Sequence, residues 1–259
     1  MPSPIYNDSI QAIIQAINCP HQVFLETSTP EEVNQAYQEA LLRGKKEGFT
    51  PILVVADHIL TRELPSTKTQ SKESILQKNL NGEELLKTWY HESENHLKTW
   101  YGIYGKGKNF TELLKEETAS DSDSKPPKKY NPFLTSFIGF RGKDYIDETI
   151  LFEIPVTNPW EVIAWVPIGG WNQCPNAPEM LAICKKWYQQ CGAVPAVLSH
   201  DTMEFLIKHP IQEKQTAYEI AKEHYVFCPD CLDQCTVTGT LADIAHAIYQ
   251  SSTWFFWWD

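Results

Sequence analysis

Apolar positions along this chain switch between two periods, and the switches mark its elements. Ile10, Ile13, Ile14 and Ile17 fall at the i, i+3, i+4, i+7 spacing of one helical face, so Ser9 to Asn18 is predicted helical with Ser9 as its cap. Val23-Phe24-Leu25 is a short strand. Ser28-Thr29-Pro30-Glu31-Glu32 supplies a hydroxyl cap, a first-turn proline and acids near the positive end of the helix dipole. That helix is expected to run to about Lys46 and stop near Gly48. Pro51 to Ala56 is a continuous apolar, β-branched run and reads as a buried strand. Strand, helix, strand in this order predicts a βαβ unit with a right-handed crossover. From Ser71 to Gly102 the period is helical again, and Leu86-Lys87-Thr88-Trp89-Tyr90 recurs eleven residues later as Leu97-Lys98-Thr99-Trp100-Tyr101. Eleven residues are close to three turns, so both copies share one face, which packs on its own domain or docks a partner.

Residues 119–130 are polar, serine-rich and proline-bearing, and read as a linker or loop. The chain then divides into an N-terminal α/β region over 1–118 and an α+β domain over 131–259, although the two can still share a sheet. Beyond the linker, strands are predicted at Thr149 to Val156, Glu161 to Pro167, Val194 to Leu198 and Met203 to Ile207. Helices are predicted at Ala177 to about Gln190, Glu213 to Phe227 and Thr240 to Tyr249, with Gly192 and Pro229 ending the first two. The chain closes on Thr253-Trp254-Phe255-Phe256-Trp257-Trp258-Asp259. Side chains of a strand alternate between faces, and here both faces are apolar. This predicts an interior strand of a sheet covered on both sides, since such a segment exposed at an edge invites aggregation. The fold class is α+β, or α/β: a central mixed sheet flanked by helices, with the Trp-rich C-terminal strand inside it.

Composition narrows the function. Hydrophobic residues make up 42% of the 259, ample for a packed core, while the formal net charge is −11. That balance argues against direct nucleic-acid or anionic-membrane binding, which needs clustered Lys and Arg, and it suits a basic partner. No apolar run is long enough to span a bilayer. Met1-Pro2-Ser3-Pro4 lacks the basic and apolar regions of a signal peptide, and seven cysteines are an odd number, so a cytoplasmic protein with reduced thiols is expected.

The second half resembles a bacterial family of unknown function, DUF4253. The resemblance rests on Pro159-Trp160-Glu161-Val162, Gly169-Gly170-Trp171-Asn172, Gly192 to Val197, His200-Asp201-Thr202-Met203-Glu204-Phe205, Ala221-Lys222-Glu223-His224 with Phe227-Cys228-Pro229-Asp230, and Trp254 to Asp259. It implies a bacterial or phage origin and carries no established activity or catalytic residue.

Chemistry supplies the candidates. Glu204, Glu223, His224 and Asp230 could perform acid–base catalysis or hold a divalent cation if they converge in a cleft. Their structural roles would be different: Asp201 and Asp230 capping turns, Glu223 meeting a Trp N–H or a cation. His224, Cys228, Cys231 and Cys235 have the spacing of a possible zinc site, against which stands the simpler reading of reduced thiols. Cys228 as a nucleophile is disfavoured by its place at a helix C-terminus. Trp171, Asp201, Trp257 and Asp259 are candidate binding residues at one end of the sheet, with Arg141 and Lys143 as possible counter-charges for Asp259. No P-loop, dinucleotide fingerprint, nucleophile elbow or metalloprotease helix occurs. Two functions follow: a binding or inhibitory protein of immunity type acting on a basic protein partner such as a toxin, or an enzyme built on the Glu/His/Asp group.

Overall fold

The computed structural model describes residues 7–66, 71–104, 132–139, 142, 144–236 and 240–259. Six strands form one sheet: β1 (His21–Phe24), β2 (Thr50–Val55), β3 (Thr149–Ile154), β4 (Ala193–Leu198), β5 (Thr202–Ile207) and β6 (Thr253–Trp257), in the order β1-β3-β2-β4-β5-β6. Only β2 and β4 run parallel, and every other neighbouring pair is antiparallel, so the sheet is mixed. The helices are α1 (Asp8–Ile17), α2 (Pro30–Glu47), α3 (His58–Ser66), α4 (Lys72–Gln77), α5 (Gly82–Tyr104), α6 (Ala177–Cys191), α7 (Lys214–Phe227), α8 (Pro229–Asp233) and α9 (Leu241–Ile248). The predicted α+β class therefore holds.

Local chemistry sets the ends of the best-defined helices. Thr29 Oγ1 accepts from Glu32 N at 3.2 Å while Glu32 returns a bond to Thr29 N at 2.8 Å, a complete capping box. Asn176 and Glu179 repeat the device at α6. Gly192, at φ 67°, turns the chain out of α6 straight into β4. Pro195 is tolerated within β4 because the register with β5 shifts between Pro195 and Val197.

Alternation along the strands feeds two cores. Leu53, Val55, Leu151 and Leu206 pack on one face beneath Val33, Tyr37 and Ala40 of α2. Ile52, Val54, Ile150, Phe152, Met203 and Phe205 face the other way, into a larger core shared with most remaining helices. Leu86 is buried in this larger core, with Trp89 and Tyr90 packed against it. The first aromatic repeat thus packs on its own protein; the side chains of the second copy, Trp100 and Tyr101, lie outside the described residues.

Two expectations are corrected. The Trp-rich strand β6 is not interior: among the described residues it ends the strand order and pairs only with β5. Its faces are unequal, because Trp254, Phe256 and Trp258 are buried while Phe255 is 48% exposed. The stretch Glu161 to Pro167 is not a strand. Pro159–Ala164 forms a 3₁₀ turn whose Val162, Ile163 and Ala164 are all buried, a case where a short apolar run does not reveal its period. The two halves share the sheet, with β2 of the first lying between β3 and β4 of the second. The predicted linker over 119–130 lies outside the described residues.

Candidate functional site

The carboxyl ends of the parallel strands β2 and β4 lie side by side, the position at which α/β sheets commonly present ligand-binding groups. Asp57 follows β2 and His200-Asp201 follow β4. Asp57 divides its two oxygens. Oδ1 accepts from Ile59 N at 2.9 Å and Leu60 N at 2.7 Å, starting α3. Oδ2 lies 3.0 Å from His200 Nδ1 and accepts from His200 N at 3.3 Å. His200 Nε2 is 3.4 Å from Asp201 Oδ2. The Asp57–Nδ1 contact has ion-pair distance without the alignment of a linear hydrogen bond.

Asp201 is the hub of this end. Its Oδ1 accepts from Ser199 Oγ at 2.7 Å and Thr202 Oγ1 at 3.1 Å, and its Oδ2 accepts from the Trp257 indole at 3.0 Å. The main chain continues the link, with Trp258 N donating to Asp201 O at 3.0 Å. One residue further, Asp259 N donates to Asp230 Oδ2 at 3.1 Å, and Asn172 Nδ2 donates to Asp259 O at 2.7 Å. A rim of carboxylates thus runs from Asp57 through Asp201 to Asp259 and Asp230. Glu63 lies beside the first two, and Asp233 beside Asp230. Among the described residues, no Lys or Arg pairs with Asp57, Asp201, Asp230 or Asp259.

The electrostatics follow from these contacts. The contact with Asp57 raises the His200 pKa, with the charges of Asp57, Asp201 and Glu63 acting the same way against partial burial. Burial pushes Asp57 upward, but His200 and the Leu60 N–H outweigh it, and the net shift is downward. Burial raises Glu63 and Asp233.

The proposed catalytic group does not assemble. Glu204 lies on β5, 2% exposed, and accepts from Thr135 N at 3.0 Å and Ser136 N at 2.9 Å. Its strand neighbour is Phe255, so it points to the sheet face opposite Trp254 and Phe256. His224 points into that other face, with ring centroids 4.6 Å from both Trp254 and Phe256. Burial holds it neutral, lowering its pKa to about 3. Glu223 accepts from the Trp187 indole at 2.7 Å and pairs with Lys186. It borders a groove of about 610 Å³ in which Lys87–Glu83, Lys186–Glu223 and Lys222–Glu219 neutralise one another. Only Asp230 reaches the acidic rim.

The zinc candidates separate as well. His224 turns into the aromatic core, whereas Cys228 and Cys231 turn toward β6. Among the described residues no group of three or more His, Cys, Asp and Glu is arranged to hold a metal ion. Cys228 ends α7 but also precedes Pro229 at the start of α8, which the sequence pattern did not reveal.

Of the binding candidates, Asp201, Trp257 and Asp259 meet at the sheet end. Trp171 packs against the larger core beside Asn172, and its indole nitrogen is buried without a partner. Arg141 and Lys143 lie outside the described residues. The sequence reading missed Asp57, Glu63 and His200. The available signal was positional: a carboxylate two residues beyond an apolar strand, and a His-Asp pair starting two residues beyond another.

The architecture is that of an α+β protein with an acidic strand-end rim. Residues 150–259 match the family described as Domain of unknown function (DUF4253). No curated protein and no solved structure matches the chain. The matched part supplies His200, Asp201, Trp257, Asp259 and Asp230, whereas Asp57 and Glu63 come from outside it. No helix among the described residues is long and apolar enough to cross a membrane.

Proposed function

We propose that this chain is a binding protein of immunity type, and that its acidic strand-end rim receives a basic protein partner such as a toxin. The observation that carries the reading is the run Asp57, Asp201, Asp259 and Asp230, gathered at one sheet end with none of the four ion-paired to a Lys or Arg among the described residues. Carboxylates so placed steer a cationic surface and speed its association. Half-exposed Phe255, two residues before Trp257 on the same face of β6, adds an apolar contact beside the charge. Acid–base catalysis is the weaker reading. Its candidate residues Glu204, Glu223 and His224 point into three different surroundings and do not converge in a cleft. The seven free thiols suit the cytosol as the place of action.

The test is affinity capture from the native host by wild-type protein and by a D230K/D259K variant of unchanged circular dichroism. Wild type retains a basic protein at low salt and releases it at about 0.5 M salt, where surface charge is screened, while the variant retains little. Equal retention by both, or retention of no basic protein, overturns the reading.

A further inference from the structure

Three cysteines flank Asp230, at the end of the rim, and form a series of thiols. Cys228 Sγ donates to Trp257 O at 2.9 Å. Cys231 Sγ lies 3.4 Å from Cys228 Sγ and 3.7 Å from Phe255 O. Cys235 lies beside Cys231 and is exposed, whereas the other two are buried. The series therefore leads from solvent to the outer edge of β6, and its two inner thiols sit against carbonyls of that strand.

The spacing suits a covalent link. A disulfide needs its sulfurs at about 2.05 Å and its Cα atoms roughly 4.4–6.8 Å apart. Residues three apart at the start of a helix meet the second requirement, and sulfurs already in contact need only a small side-chain rotation for the first. We infer that Cys228 and Cys231 are a redox-active dithiol that closes to a disulfide, with Cys235 as the thiol through which a low-molecular-weight disulfide oxidant reaches them. The Cys235 thiolate attacks the oxidant, whose S–S bond breaks; one half leaves as a thiol and the other stays bound to Cys235. Cys231, releasing its proton, attacks the Cys235 sulfur and expels the second half as a thiol. Cys228, also releasing its proton, attacks the Cys231 sulfur and frees Cys235, which is reprotonated. Two protein thiols become one disulfide, and one oxidant disulfide becomes two thiols.

The Cys228 thiol and burial raise the pKa of Cys231 against the opposing effect of Cys235, and the Cys231 thiol and burial raise that of Cys235, so the exchange is slow at neutral pH and faster in alkali. Closure also takes away the two S–H groups that face the Trp257 and Phe255 carbonyls, so oxidation registers at the edge of the sheet.

The test incubates the full-length protein with glutathione and glutathione disulfide at graded ratios, quenches with acid and measures intact mass and peptide maps. The expected result is loss of the mass of two hydrogens, a Cys228–Cys231 peptide link, altered tryptophan emission, and reversal by dithiothreitol. C231S abolishes the mass loss, and C235S forms the same link roughly tenfold more slowly. An unchanged mass at every ratio, a link between another pair of the seven cysteines, or an unchanged rate in C235S overturns it. The outcome is independent of the partner proposed above, since it requires no ligand.

Discussion

The indole nitrogen of Trp257 donates to Asp201 Oδ2 at 3.0 Å, joining the last strand to the turn between β4 and β5. The same carboxylate holds Ser199 and Thr202, so one side chain fixes both the turn and the end of the neighbouring strand. Removing it strands several part-buried donors at once. D201A is expected to lower stability by about 2 kcal/mol, the usual cost of orphaned polar groups. Urea unfolding measures it, and D201N, which keeps the acceptor oxygen, should lose less.

His200 gives the protein a pH dependence of definite sign. Its folded pKa lies above the unfolded value, so its contribution is complete below the unfolded pKa and is lost as pH rises through the folded one. Asp57 is shifted down, so its contribution is present above the unfolded carboxylate pKa and is lost as pH falls through the folded value. Unfolding free energy measured across pH should fall on the alkaline side in wild type and flatten there in H200Q.

His224 acts in the opposite sense. Burial lowers its pKa to about 3, so the unfolded chain takes up a proton that the folded chain refuses. Stability is complete above the unfolded histidine pKa and declines as pH falls from there toward about 3. H224F, which retains a ring against Trp187, Trp254 and Phe256, should shift the acid-unfolding midpoint to lower pH.

Trp187 packs against the rings of Phe205, Phe227, Trp254 and Phe256 as well as His224. W187A should cost about 3–5 kcal/mol, the range for a large aromatic removed from a core. Thermal unfolding followed by circular dichroism is sufficient to see a change of that size.

Adjacent residues of β6 should respond in opposite ways. W254A empties a buried site and is expected to cost about 3 kcal/mol or more. F255A alters a half-exposed side chain and should stay within about 1 kcal/mol of wild type. If the proposed partner engages this edge, F255A weakens capture while the fold is kept.

Much of the fold was legible in local pattern. The Ile10–Ile17 stripe, the Thr29-Pro30-Glu31-Glu32 helix start and the β-branched run before Ala56 each carry their cause in neighbouring residues. The place of β6 was not legible in that way. Five aromatic residues in a row look apolar on both faces, and only the structure separates the buried Trp254, Phe256 and Trp258 from Phe255 and from Trp257, whose indole serves a carboxylate. The site was harder still, because Asp57 meets His200 across 143 positions of sequence and no short motif records such a meeting. Glu204, Glu223 and His224 share the motif-rich half but point into three different surroundings, since strand alternation and helix facing decide direction independently of proximity in sequence.

The seating of β2 between β3 and β4 bears on how the chain reaches this state. Leu53 finds Leu151 on one flank and Val197 on the other, both made long after it during synthesis. An early-emerging middle slat must therefore wait for later ones to arrive and enclose it. Separating residues 150–259 as a standalone fragment would leave β3 and β4 with an empty lane between them, and recombining it with residues 1–149 in trans should restore a cooperative unit that neither piece attains alone.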